Sequence, residues 1–230
     1  MKKIILLTAI AILLTALTSC DPEPIPPGPP PVNYAISTNT IGKGLVTPDK
    51  LSGVNLGSDV KFTITPEQGH SAYSIKVNGI LVEFQPSASE TSYTVKDIKS
   101  NLYIEVTFVE TDILIFSVKS TNEEPWMWTK LKIYKVSDNS LIYDVELTSS
   151  EKADKYYYVY PSMEALLYKA DGSVRSGTWD LKQRVLTLGS GSPPCEVVEL
   201  TKSKIVIKFL PVWSNADNCY VYAQYTYERK

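Results

Sequence analysis

Through most of the chain apolar and polar residues alternate with a period of two. Val60, Phe62 and Ile64 fall on one side of an extended segment, and Lys61, Thr63 and Thr65 on the other. Tyr73, Ile75 and Val77 alternate in the same way with Ser74, Lys76 and Asn78, and Leu102, Ile104, Val106 and Phe108 with Tyr103, Glu105 and Thr107. A strand sends successive side chains to opposite faces, so the pattern predicts strands with one face on a core and one in water. Asn78-Gly79 divides two such runs, where a two-residue hairpin needs positive φ. Between residues 34 and 110 no helical period appears.

Antiparallel strands of this length, spaced by turns, predict an all-β first unit: a small immunoglobulin-like β-sandwich over 34–110. Thr111 to Val118 either closes that sandwich or leads into the next unit. After the polar stretch Thr121-Asn122-Glu123-Glu124-Pro125, strands are predicted near Trp126 to Val136, Leu141 to Leu147, Tyr156 to Tyr160, Glu164 to Lys169, Val174 to Leu181, Arg184 to Leu188, Glu196 to Leu200, Lys204 to Leu210 and Cys219 to Glu228. Asp138-Asn139, Asp171-Gly172 and Gly189-Ser190-Gly191 supply turns between them. Successive strands with tight connections argue for an up-and-down antiparallel β-barrel over 111–230, because closure removes the edges that an open sheet exposes.

The first residues carry a different pattern. Lys2 and Lys3 are followed by an apolar run from Ile4 to Leu17, broken only by Thr8 and Thr15. The run is shorter than the ~20 residues needed to cross a bilayer, so it reads as a signal peptide over 1–20. At its end, Leu17-Thr18-Ser19-Cys20 resembles the lipobox of bacterial lipoproteins. The resemblance implies a lipidated Cys20, a membrane as partner through that anchor, and an outer-membrane lipoprotein facing the periplasm or the cell surface. Residues 21–33 are a proline-rich linker, in which fixed φ and missing donors favour an extended polyproline II spacer.

Composition narrows the partners. The chain has 23 Lys+Arg against 25 Asp+Glu, and loss of Lys2 and Lys3 makes the body more acidic. With no basic cluster, nucleic acid is excluded as a partner. Cys195 and Cys219 remain once Cys20 is set aside. An even pair in an oxidising envelope invites a disulfide, but in a strand meander they lie two strands apart, beyond bridging reach. Buried small hydrophobes are the alternative, and free thiols are the expectation.

Two resemblances extend the pattern. Gly42-Lys43-Gly44, Val46-Thr47-Pro48, Gly57, Val60 to Thr65, Pro66-Glu67-Gln68-Gly69, Val77-Asn78-Gly79, Tyr93-Thr94-Val95 and Ile104 to Phe108, in that order, resemble an internalin-B-type repeat domain, which implies a non-catalytic stalk or spacer. Tyr168-Lys169-Ala170-Asp171-Gly172, Gly177-Thr178-Trp179-Asp180-Leu181, Val185 to Leu188, Val197 to Thr201 and Tyr225 to Arg229 resemble the lipocalin-like domains of Gram-negative lipoproteins. The front of that match departs from the family, since Trp126-Met127-Trp128 lacks the preceding glycine.

Such a barrel either holds one small ligand or fills itself with side chains. Trp179, Tyr168, Phe209, Tyr225 and Tyr227 are candidates to line a pocket, with Arg175 or Arg184 at its mouth. The reading to prefer is that Trp179 plugs the barrel floor and the tyrosines form cross-strand pairs, because aromatic pairs stabilise sheets whether or not anything binds. Trp126 and Trp128 share a face if extended; with Trp213 they offer a platform for sugar rings, or a hydrophobic seam between the units. Of Tyr156-Tyr157-Tyr158, at least one ring faces outward.

No nucleophile elbow, phosphate loop or His-Glu-x-x-His pattern occurs, and the second unit has no histidine. The single histidine, His70, follows Gly69 without neighbouring ligands, so no metal, cofactor or catalytic residue is expected. The expectation is a non-catalytic envelope lipoprotein binding a small apolar molecule or a glycan. A structural or adhesion accessory acting through contacts with an envelope protein is the other.

Overall fold

The computed structural model describes residues 33–189 and 191–230, so the expected signal peptide, Cys20 and nearly all of the proline-rich linker lie outside the described residues. Among the described residues the regular structure is nearly all strand, with two short helices.

The first unit is two small sheets around one core. β1 (Asn33–Tyr34) pairs with β4 (Val54–Asn55) at its edge. One sheet runs β2 (Ile36–Ile41), β9 (Leu102–Glu110), β6 (His70–Val77) and β7 (Ile80–Val82), with β2 parallel to β9. The other runs β3 (Gly44–Pro48), β5 (Val60–Pro66) and β8 (Thr91–Val95). Alternation decides what is inside: Val60, Phe62 and Ile64 from one sheet meet Ile75, Ile104 and Val106 from the other, all fully buried. The Asn78-Gly79 hairpin forms as expected, with φ of 49° and 83°. Gly42 and Gly44 let the turn between β2 and β3 lie on Phe108, whose carbonyl oxygen stands 2.1 Å from where a Cβ on Gly42 would be.

Thr111 to Val118 does not close the sandwich as a strand. Thr111–Phe116 is a helix, α1. It carries Phe116 out of the first unit and buries it completely in the second, against Tyr158 and Trp179.

The second unit is one ten-stranded antiparallel sheet that closes on itself. Its strands are β10 (Trp126–Lys135), β11 (Leu141–Val145), β12 (Lys155–Val159), β13 (Glu164–Tyr168), β14 (Val174–Lys182), β15 (Val185–Leu188), β16 (Cys195–Leu200), β17 (Lys204–Lys208), β18 (Val212–Ser214) and β19 (Cys219–Glu228). Eight of them form the ring, from β10 through β12 to β17 and back by way of β19. β10 and β19 close it over eight residue pairs, from Met127↔Glu228 to Lys135↔Val221. The barrel is not purely up-and-down. β11 and β18 stand outside the ring, pairing with the far halves of β10 and β19, so a four-stranded ribbon rises above one end. Helix α2 (Ser149–Ala153) leads from β11 to β12, its first turn closed by reciprocal hydrogen bonds between Thr148 and Glu151. No helix among the described residues is long and apolar enough to cross a membrane.

The units meet at α1. Val118 and Val159 form a parallel bridge, Tyr73 packs edge-on against Tyr160 at 5.0 Å, and Arg184 pairs with Asp112 at 3.0 Å.

Candidate functional site

Inward-facing residues fill most of the barrel with aromatic rings. At the floor, Phe116 lies 4.4 Å from Tyr158 and 5.3 Å from Trp179 between ring centroids. Higher up, Tyr156 meets Tyr227 at 5.1 Å, and Tyr225 stacks on Trp128 at 5.0 Å with Phe209 beside it at 4.7 Å. These contacts combine apolar burial with ring quadrupole attraction.

The filling is incomplete on one side. Tyr156, Tyr158 and Tyr227 face Ala165, Leu167, Arg175, Gly177 and Leu188 across a largely apolar cavity of about 270 Å³. The cavity exists because the wall is short there. β15 pairs with β14 only from Trp179↔Leu188 to Lys182↔Val185, and at Gly189 (φ 69°) the chain turns out of the strand line. The half of β14 from Val174 to Gly177 therefore has β13 on one side and no strand, among the described residues, on the other. Residues 174–178 are exposed on both faces, as a wall beside an opening must be.

Electrostatics give the cavity a consistent character. Burial, with the nearby charges of Asp154 and Glu151 adding to it, pushes the Tyr156 phenol up to about 12. Burial also raises Tyr158 and Tyr227 well above the ordinary value. All three stay protonated at neutral pH, so each keeps an O–H to donate. Among the described residues none of these hydroxyls has a hydrogen-bond partner, and all three tyrosines line the cavity. Arg175 brings a cation to the rim. It makes no salt bridge among the described residues; the Asp171 carboxyl is held below its usual range by hydrogen bonds from Ser173, with the charges of Lys169 and Arg175 adding to them.

A wider hollow of about 690 Å³ lies on the outer face of β10, β16, β17 and β19, lined by Lys130, Lys132, Glu199, Lys204 and Glu228. It is a polar saddle in open solvent whose rim is the exposed pair Lys204–Glu199, 2.8 Å apart. Of the two, only the smaller is lined mainly by apolar surface.

None of the six aromatic candidates Trp126, Trp128, Tyr168, Trp179, Trp213 and Tyr225 lines the smaller cavity. Trp126 is fully buried, its Nε1–H donating to the Phe116 carbonyl at 2.7 Å and its ring covered by the Arg229 guanidinium. Trp179 is buried and donates to the Val159 carbonyl at 3.1 Å. Trp128 and Tyr225 stack inside the barrel. Tyr168 is outside, edge-on to Tyr157, the ring of the Tyr156-Tyr157-Tyr158 run that turns outward. Trp213 is 50% exposed on β18 beside Tyr220. Counted along β19, its pair with Tyr220 stands seven residues, ~23 Å, from the Trp128↔Tyr227 pair. The three indoles do not share one surface, and Trp126 has no free face for a sugar.

Of the two arginines expected at a mouth, Arg175 is there and Arg184 is not: it lies at the opposite end, against α1. Cys195 is buried and Cys219 half-buried, both free. His70 is the first residue of β6, and among the described residues no group of His, Cys, Asp and Glu is placed to hold a metal. Tyr156, Tyr158 and Gly177 were not foreseen as site residues. The same-face spacing of Tyr156 and Tyr158 was the signal available. No protein-family model matches the chain, and no curated protein matches it.

Proposed function

We propose that the second unit is a non-catalytic binding module that takes a compact apolar group, carrying at least one acceptor oxygen, into the cavity between β12 to β15 and β19. The observation that carries this is that three tyrosines, whose hydroxyls make no hydrogen bond among the described residues, line one apolar hollow of about 270 Å³ at the open side of the barrel. Binding pockets run ~300–1,000 Å³, so the group is small. The barrel acts in the manner of the lipocalin-like domains it resembles. The first unit is its stalk, in the manner of an internalin-B-type repeat, and a lipid at Cys20 holds both to the outer membrane. This reading gives no role to the indoles as a sugar platform.

Gly177 provides the test. Its φ is not in the left-handed region, and a Cβ built there meets nothing within 4 Å, so a large side chain enters the cavity without disturbing the wall. The full chain is titrated with a neutral naphthylamine dye and compared with Gly177→Phe. Saturable binding lost in a folded Gly177→Phe variant is expected. Equal binding by both proteins overturns the reading. A second reading, an accessory acting through protein contacts, is favoured by the exposed Leu210, Val212, Trp213 and Tyr220 at the tip of the ribbon.

A further inference from the structure

The geometry points to the class of ligand: a short extended peptide that adds to the open edge of β14 and places one apolar and one acidic side chain in the cavity. This rests on the cavity being a binding site and goes beyond it.

The edge is defined by register. Lys169 donates to the Ser173 carbonyl and Trp179 to that of Met163, and Leu167↔Arg175 and Ala165↔Gly177 are paired between them. In an antiparallel strand the N–H and C=O of one residue point to one side and those of the next to the other. The backbone groups of Arg175 and Gly177 are therefore turned to β13, and those of Val174, Ser176 and Thr178 to the opening. Of these, the Thr178 carbonyl already accepts from Gly189. Among the described residues nothing pairs with the backbone donors and acceptors of Ser176 and Val174, and both residues are exposed next to an apolar hollow. Unpaired strand edges are templates for another chain, and folded proteins cover or blunt them.

An incoming strand antiparallel to β14 has a dictated pattern. The residue opposite Ser176 exchanges two hydrogen bonds with it and points its side chain outward. Its predecessor lies opposite Gly177 and points inward, where the missing Cβ leaves space for an apolar side chain under Tyr158 and Leu188. Its successor lies opposite Arg175, also inward, where a carboxylate meets a guanidinium that makes no salt bridge among the described residues. The fourth residue pairs with Val174. The signature is apolar, any, acidic, any. Main-chain bonds supply affinity and the alternate side chains selectivity.

The test uses the full chain and a blocked peptide, leucyl-threonyl-glutamyl-threonine amide, with fluorescence anisotropy as readout. N-methylation of the first threonine removes the donor aimed at the Ser176 carbonyl, and is expected to weaken binding about tenfold or more. Replacing glutamate by lysine weakens it too, and Arg175→Glu is expected to reverse that preference. An N-methylated peptide binding as well as its parent, or a preference unchanged by Arg175→Glu, overturns the proposal. Dye binding that is abolished by Gly177→Phe, with no peptide bound at all, overturns the peptide while leaving the cavity reading in place. Loss of neither dye nor peptide in Gly177→Phe removes both. A concentration-dependent dimer that excludes the peptide assigns the edge to a second copy, and also overturns the proposal.

Discussion

Arg229 uses its side chain to lock the barrel floor to α1. Its Nε donates to the Lys202 carbonyl at 2.7 Å, its two terminal nitrogens donate to the Ser117 and Ile115 carbonyls, and the guanidinium plane covers Trp126 at 4.3 Å. A planar fork is needed for that, and lysine has none. Arg229→Lys is expected to cost about 1.5–3 kcal/mol in urea unfolding, the worth of a charged hydrogen bond left unmade. The tyrosines set an alkaline limit on the same interior. Tyr156, with its phenol at about 12 in the folded chain against 10.0 otherwise, keeps its proton when folded and loses it when unfolded across that interval. The unfolded state then binds fewer protons, so stability is complete below pH ~10 and falls as pH rises toward ~12. Absorbance titration is expected to show Tyr156, Tyr158 and Tyr227 ionising only as the barrel unfolds. Reversible ionisation of every tyrosine near the ordinary value, with the fold intact, contradicts it.

Among the elements, the turn between β14 and β15 carries backbone strain. Gln183 and Arg184 both take positive φ, 49° and 63°, in a two-residue hairpin with no glycine. The turn is held from across the junction: Arg184 pairs with Asp112 at 3.0 Å and the Gln183 N–H reaches Glu110 at 3.4 Å. Left-handed backbone costs a side chain with a Cβ ~1–2 kcal/mol, so Gln183→Gly is expected to raise stability by up to ~1 kcal/mol once glycine's greater entropy loss is deducted. A drop in melting temperature would show the side chain itself to be needed. Nothing in Gln183-Arg184 announces a hairpin turn, whereas Asn78-Gly79 does, because asparagine and glycine accept positive φ and glutamine and arginine do so only under constraint. Nine of the second unit's ten strands, all but β18, were legible as short apolar-rich runs divided by turn residues. β18 spans only three residues, too few for a period, and Asp112-Ile113-Leu114-Ile115-Phe116 is a short apolar run in which helix and strand cannot be separated by pattern. The cavity was not legible for a different reason. It depends on where β15 stops against β14, a register between strands that a single strand's sequence does not contain.

At the scale of the whole molecule, α1 makes one folding unit of two cores. Phe116 is buried in the barrel yet belongs to the segment leaving β9, so loosening the first core frees the cork of the second. All four tryptophans, at 126, 128, 179 and 213, lie in the second unit, and fluorescence reports on the barrel alone. Phe62→Ala, in the first core, is expected to cost about 3–5 kcal/mol and to lower the fluorescence midpoint together with the far-ultraviolet one. A fluorescence transition left where it was would separate the units. The ring closes between β10 and β19, where Thr129 meets the carbonyl of Thr226, 97 residues along the chain. Contacts between residues so distant form slowly, because the entropy of bringing them together is spent before any bond rewards it. Until β19 docks, β10 and β17 are both bare edges. Their solvent-side positions are Lys130 and Lys132 on one and Lys204 and Lys208 on the other. In the finished barrel these lysines cover edges already paired. Before closure the same charges discourage the half-wound sheet from sticking to its neighbours.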